Sequence, residues 1–373
     1  MEESRAIVID TGSGAIKAGF GGDDAPTSVF PAIVGRPKHS GVLPSIMGKK
    51  DIYIGEEAQK NRGVLSLSYP IEHGTVIDWE GFELLLNHTF YNELLVDPKD
   101  HPVMLTEAPL NANENREKMA EILFETFETP SLIFQIQAIL SLFGSGCTTG
   151  VVLDSGDGVT HIVPVYQGYE LEHVIKRLDF AGRDLTFYLQ QLLLERGIKF
   201  HTSAEVEIVR DMKEKLCYCS LDYEREITET GSKDMSYELP DGQRITIGRE
   251  RFKCPEALFN PQKLMHREHG GLQDILHETI QQCGIDIKKE LYNSIIVSGG
   301  TTLLRNFEVR LYKEMKTLAP ASIKIKINAS SDRRWAVWKG GSTLTQLSTF
   351  GSMWISRREY EEEGVSIVHR RKF

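Results

Sequence analysis

The sequence predicts an α/β protein made of two similar α/β domains around a shared cleft. Three observations carry that reading. A strand–turn–strand motif with an aspartate at the strand end occurs twice, 144 positions apart. Apolar runs of strand and helix type alternate along the chain. A late strand, S-I-I-V-S-G-G-T-T from Ser294 to Thr302, ends in a Gly-Gly turn at its carboxyl end, where α/β sheets bind ligands.

The repeated motif is D-[ST]-G-x-G. The first copy lies in A-I-V-I-D-T-G-S-G-A-I-K-A-G-F, Ala6 to Phe20, and the second in V-V-L-D-S-G-D-G-V-T-H-I-V-P-V, Val151 to Val165. Each has a β-branched run ending in an aspartate (Asp10, Asp154), then a glycine turn, then a second run. Gly12 and Gly14, like Gly156 and Gly158, leave backbone N–H groups open to an anion. The carboxylates would repel a bare phosphate, so they imply a divalent cation between acid and phosphate. A D-G turn also serves ordinary hairpins, but two such hairpins have no need of matching aspartates. Lys17, present only in the first copy, adds a cation.

In chain order, Pro26 to Gly63 is rich in Gly, Pro and Lys, and Lys38–Asp51 within it reads as a mobile loop with Val42, Leu43, Ile46 and Met47 exposed. Trp79–Leu95 predicts an amphipathic helix with Phe82, Leu85, Leu86 and Phe90 on one face. Pro102–Thr106 reads as a strand, and Asn111–Phe127 as a helix with a polar, capped start. Pro130 is expected to open another helix through Phe143, broken by Gly144-Ser145-Gly146. Asp184–Arg196, Ser203–Cys219 and Gly271–Cys283 read as helices, L-P-D-G at 239–242 as a hairpin turn, and a further helix starts at Leu303. The expected domains are 1–143 with 338–373, carrying an insertion at 33–69, and 144–337, carrying an insertion at 181–270.

Composition narrows the class. The 373 residues are 40% hydrophobic and 26% charged, as in globular proteins with real cores. Acidic residues outnumber basic ones 53 to 43, a net charge of −10, which speaks against nucleic acid as the main partner. Five cysteines without a C-x-x-C indicate reduced thiols rather than a disulfide frame or a zinc site. Met1-Glu2-Glu3-Ser4 lacks a signal peptide's apolar run, and Ser131–Phe143 is too short to cross a bilayer, so a cytoplasmic protein without membrane association is expected. There is no G-x-x-x-x-G-K-[ST], no complete G-x-G-x-x-G, no H-E-x-x-H, no G-x-S-x-G and no kinase signature.

The paired hairpins and the strand-GGT loop resemble the superfamily of actin, heat-shock chaperone ATPases and sugar kinases. Within it the chain resembles actin over nearly its full length: Y-P-I-E-H-G at 69–74, L-L-V-D-P-K-D-H-P-V-M-L-T-E-A-P-L-N at 94–111, A-G-R-D-L-T at 181–186, I-V-R-D-M-K-E-K-L-C-Y at 208–218, E-L-P-D-G-Q at 238–243, R-F-K-C-P-E-A-L-F at 251–259 and S-I-V-H-R-R-K-F at 366–373. The resemblance implies an actin-like ATPase fold around a nucleotide cleft, with ATP or ADP and Mg2+ (or Ca2+) as ligands. It implies that Gly12, Ser13, Gly14, Gly156, Asp157 and Gly158 cradle the phosphates beside Lys17. Asp10 and Asp154 would hold the metal through its waters, and Gln137 and His161, with Asp154, would serve hydrolysis. Gly182, Lys213, Glu214, Gly300, Thr301, Leu304 and Arg334 would line the nucleoside. It further implies polymerisation coupled to hydrolysis, the Lys38–Asp51 loop of one subunit entering a cleft of Phe143, Tyr169, Leu344 and Met353 in the next. Implied partners are the chain itself and actin-binding proteins such as profilin, cofilin, gelsolin-like and myosin-like proteins, in the cytoskeleton.

The chain departs from the actin pattern in places. D-T-G-S-G replaces D-N-G-S-G, Leu304 stands for a tyrosine beside the adenine, Arg334 for a lysine, Phe143 for a tyrosine, and Lys372 for the penultimate cysteine. The 38–51 loop is longer by one residue, the 228–236 stretch is shorter, and the acidic N-terminus is thin. Three other readings stay open: an actin-related protein in a short capped filament of the dynactin kind, a non-filamentous actin-related subunit of a nuclear or branching complex, and a small-molecule kinase on the same fold.

Overall fold

A computed structural model describes residues 5–38, 50–229 and 234–370. Nearly all of the 38–51 loop, with its four apolar residues, lies outside the described residues, as do part of the 228–236 stretch and Lys372.

Two sheets organise the molecule. Strands β1 (Ile7–Thr11), β2 (Ala15–Phe20), β3 (Ser28–Pro31), β4 (Val103–Glu107) and β5 (Ser131–Ile136) form the first, in the order β5-β4-β1-β2-β3, with Ile355–Ser356 beyond β5. Strands β6 (Gly150–Ser155), β7 (Thr160–Tyr166) and β8 (Ile295–Ser298) centre the second, in the order β7-β6-β8, with Ile327–Asn328 beyond β8. The likeness exceeds the two hairpins. β1 is antiparallel to β2 and parallel to β4, and β6 is antiparallel to β7 and parallel to β8.

Both faces of the first sheet are covered, as strands with parallel neighbours require. Ile7, Ile9, Leu105, Leu132 and Phe134 pack to one side, and Val8, Met104 and Ile133 to the other, against Leu140 and Trp338. That period-2 alternation corrects the helix expected to run from Pro130 to Phe143. Ser131–Ile136 is a buried strand, pairing Leu132 with Val103 and Ile136 with Glu107, and the helix begins only at Gln137. A short apolar run does not separate the two periods by itself.

Four helices bear on the cleft: α1 (Gln137–Gly144), α2 (Gly182–Glu195), α3 (Ser203–Leu216) and α4 (Ala336–Leu344). α1 follows β5 of the first sheet and leads into β6 of the second, and α4 packs along it. Glycine makes their contact close: a Cβ at Gly340 would lie 1.8 Å from the Leu140 carbonyl oxygen, and one at Gly144 would lie 2.9 Å from that of Ala336. The Trp338 indole donates to the Val8 carbonyl (3.0 Å), tying α4 to β1. Thr202 and Glu205 form a capping box that starts α3.

Other expectations need smaller corrections. The 79–95 helix is α-helical over Trp79–Asn87 and π-helical over His88–Leu94, with its four named apolar residues buried. The 111–127 segment is a helix over Asn113–Glu121 continuing as a π turn, and it has no side-chain cap at Ala112; Asn111 instead donates to Glu107. Gly300–Leu303 is a 3-10 turn, and the helix behind it spans Phe307–Leu318. The L-P-D-G turn joins Met235–Glu238 to Arg244–Ile247 as expected. All five cysteines are free thiols. Among the described residues no helix is long and apolar enough to cross a membrane.

Candidate nucleotide site

The two hairpin turns meet. A Cβ at Gly14 would lie 2.7 Å from the Asp157 Cβ, and one at Gly158 would lie 2.7 Å from Ser13 Oγ. Glycine at these positions therefore does more than open N–H groups to an anion: it lets one turn dock on the other. Gly156 is different, since a Cβ there would find only the Val159 carbonyl oxygen, at 3.8 Å. Side chains lock the junction. Gly74 N donates to Ser13 Oγ (2.8 Å), and the Gly158 carbonyl accepts from His73 Nδ1 (2.6 Å). Arg183 donates to the Ser13 carbonyl (3.3 Å) and the Asp157 carboxylate (3.2 Å), with its guanidinium over the Tyr69 ring.

Around this junction opens a cavity of about 370 Å3. Sixteen of the eighteen site residues named from the sequence line it. From the first hairpin come Asp10, Gly12, Ser13, Gly14 and Lys17; from the second, Asp154, Gly156, Asp157 and Gly158. Gln137 enters from the start of α1, Lys213 and Glu214 from α3, Gly300, Thr301 and Leu304 from the loop after β8, and Arg334 from the segment before α4. Two do not reach the wall. Gly182 lies behind Thr301, where a Cβ would come 2.5 Å from Thr301 Oγ1. His161 is buried beneath, on β7. Arg210, Ser298 and Gly74 also line the cavity and were missed. Arg210 stands one turn before Lys213 and Glu214 on α3, and Ser298 is the strand-end residue paired with Asp154, so spacing would have found both.

The two aspartates sit in different electrostatic settings. Asp10 Oδ2 accepts from Lys17 (2.6 Å), and Oδ1 accepts from Thr106 Oγ1 (2.7 Å) and from the Gln137 amide (3.2 Å). Burial pushes the Asp154 carboxyl above the ordinary carboxylate range, against the opposing pull of the Ser298 hydroxyl and the Lys17 charge. Across the hairpin, Lys17 stands opposite Asp10 and His161 opposite Asp154. Burial, reinforced by Arg177, pushes His161 down to about 3, and neither ring nitrogen has a hydrogen-bond partner among the described residues. It is a neutral imidazole in the place where the first copy has an ammonium.

The far end of the cavity is mixed in character. Lys213 is held by the Gly182 carbonyl and by Thr186 Oγ1 (3.0 Å). Arg210 donates to Glu214 (3.1 Å), and Arg334 lies over its neighbour Trp335. Among the described residues no aromatic ring lines the wall; Leu304 contributes an aliphatic edge while belonging mostly to the core.

The donor set suits a hydrated divalent cation. Two carboxylates from opposite hairpins line one cavity, and among the described residues no group of three or more His, Cys, Asp or Glu could chelate an ion directly. Mg2+ keeps several waters and is held by one or two carboxylates together with phosphate oxygens, so the pair Asp10 and Asp154 fits it.

Paired hairpins with aspartate-ended strands, facing each other across a cavity between two like sheets, define the actin-like ATPase fold. The family model described as Actin matches residues 1–373, the whole chain, and the chain belongs to the actin family. Proteins of this family bind ATP or ADP with a divalent cation.

Proposed function

We propose that the chain binds ATP with Mg2+ in this cavity, hydrolyses it, and assembles with further copies of itself into cytoskeletal filaments in the cytoplasm. The observation that carries the reading is the meeting of the two hairpins, which offers two glycine turns, two carboxylates and Lys17 to one triphosphate. Phosphoryl transfer needs little beyond positioning and charge neutralisation. The turn N–H groups hold phosphate oxygens, and Lys17 exchanges its contact with Asp10 for the phosphates. Asp10 and Asp154 would hold Mg2+ through its waters, and the ion would offset phosphate charge. The Gln137 amide orients the attacking water, with the neutral His161 behind it.

The assembly half of the proposal rests on the family and on the 38–51 loop. Its expected receptor needs revision: Leu344 is buried in the core, leaving Phe143, Tyr169 and Met353, of which Tyr169 is well exposed. Actin-binding proteins of the profilin, cofilin, gelsolin and myosin kinds are the proposed partners.

Purified protein given Mg-ATP should rise in melting temperature, release phosphate and pellet, with filaments in negative stain; long filaments separate this reading from the short capped one. Gln137→Ala should slow phosphate release about tenfold or more while ATP affinity stays within about threefold, because an orienting group acts on the rate. Parallel loss of binding and rate would reject that role. Ile46→Asp with Met47→Asp should raise the critical concentration and leave monomer melting unchanged. Normal pelleting of that variant would remove the loop as the subunit contact.

A further inference from the structure

We propose that Thr106 is a positioning residue for this hydrolysis, fixing the carboxylate of Asp10 and the amide of Gln137 relative to each other. The inference rests on the reading of the cavity as a Mg-ATP site. Thr106 sits on β4, without solvent exposure, between β1 and β5. It does not line the nucleotide cavity, yet it touches Asp10, Thr11 and Gln137, which do.

A threonine hydroxyl has one proton and two lone pairs. Here all three are used. The proton goes to Asp10 Oδ1 at 2.7 Å; the lone pairs receive the Thr11 N–H at 3.3 Å and the Gln137 amide at 3.4 Å. Thr11 Oγ1 returns a bond to the Thr106 carbonyl at 3.0 Å. Since Gln137 also donates to Asp10 Oδ1 at 3.2 Å, Asp10, Gln137 and Thr106 form a closed triangle of polar contacts. The role differs in kind from that of Lys17. The ammonium neutralises Asp10 and is free to leave for a phosphate. The hydroxyl is neutral and anchored in a strand, so it orients the carboxylate without cancelling the charge that a hydrated cation needs. It also marks the position from which the Gln137 amide reaches a water.

Valine keeps the shape of threonine and removes the hydroxyl; serine keeps the hydroxyl. The test compares wild type, Thr106→Val and Thr106→Ser in phosphate release under assembling conditions, in ATP dissociation constant, and in the rise of melting temperature that Mg2+ adds to ATP alone. Thr106→Val should release phosphate at least about tenfold more slowly and lose most of the Mg2+ increment, while ATP affinity measured without Mg2+ moves by less than about threefold. Thr106→Ser should stay within about twofold of wild type in all three. Serine as slow as valine, an unchanged valine variant, or equal losses of rate and affinity would each overturn the inference. A wild-type protein that neither binds nor hydrolyses ATP overturns the Mg-ATP reading and this inference with it. An active wild type beside an unchanged Thr106→Val overturns this inference alone.

Discussion

The two D-[ST]-G-x-G hairpins share a backbone and differ in the partner each gives its aspartate. In both, the residue seven positions after the aspartate stands opposite it in the antiparallel register: Lys17 facing Asp10, His161 facing Asp154. The first copy is a satisfied polar network of ammonium, hydroxyl and amide. The second pairs a carboxyl that burial pushes up with an imidazole that burial pushes down. A repeated motif thus fixes geometry, while the cross-strand residue sets the charge. One hairpin brings its own counter-ion, and the other sets a neutral imidazole in that place.

Removing the counter-ion should have the largest effect. Lys17→Met leaves Asp10, like Asp154, without a counter-ion opposite it in the hairpin. Breaking a buried ion pair costs about 3–5 kcal/mol. Lys17 keeps 18% side-chain exposure, so a loss of about 2–3 kcal/mol in denaturant titrations is expected. ATP affinity should fall about a hundredfold. A variant with wild-type ATP affinity would mean that the two hairpins do not divide the charge in this way.

The docking of the turns can be tested next. Gly158→Ala drives a Cβ against Ser13 Oγ, and overpacking of this kind costs about 1–3 kcal/mol. Gly156→Ala, with open space around it, should cost little. Equal melting temperatures for the two variants would contradict the direct contact.

The smallest effect concerns pH. The unfolded chain carries His161 at its ordinary value of about 6.5, whereas the folded chain holds it at about 3. Unfolding below pH 6.5 therefore takes up a proton, so this contribution is intact above 6.5 and is lost as pH falls toward about 3. The slope is at most about 1.4 kcal/mol per pH unit. Asp154, raised in the folded state, works in the opposite sense, so the wild-type profile is a sum. The difference between wild type and His161→Gln isolates the histidine: the variant should lose less stability between pH 6.5 and 5. Parallel profiles would show that His161 titrates normally.

Much of the site was legible because strand, aspartate and glycine turn are local features, and a local pattern repeated at a distance is hard to produce without two related folds. The sixteen wall residues come from six segments, each carrying a turn or helix signal of its own or a match to the family. What escaped was mostly relational. Thr106 reads in sequence as an ordinary β-former inside an apolar strand, and only the pairing of β4 with β1 brings its hydroxyl to Asp10. The strand at Ser131–Ile136 was missed because it runs without a break into α1, and its two-residue period shows only once both faces are known. His161 was placed at the wall by family likeness alone, whereas its register with Lys17 could have been counted from the two copies.

The contact between α1 and α4 has a mechanical consequence. Helices usually interlock through side-chain ridges set in grooves, and that interlock holds their crossing angle. At Gly340 and Gly144 the ridges are missing and backbone rests on backbone. Such a contact sets the two helices closer than side-chain ridges would allow, and Leu140 packs beside it with Val337, Trp338 and Leu344. Gln137 is the first residue of α1, so the seat of this helix on α4 also sets where the amide held by Asp10 and Thr106 stands.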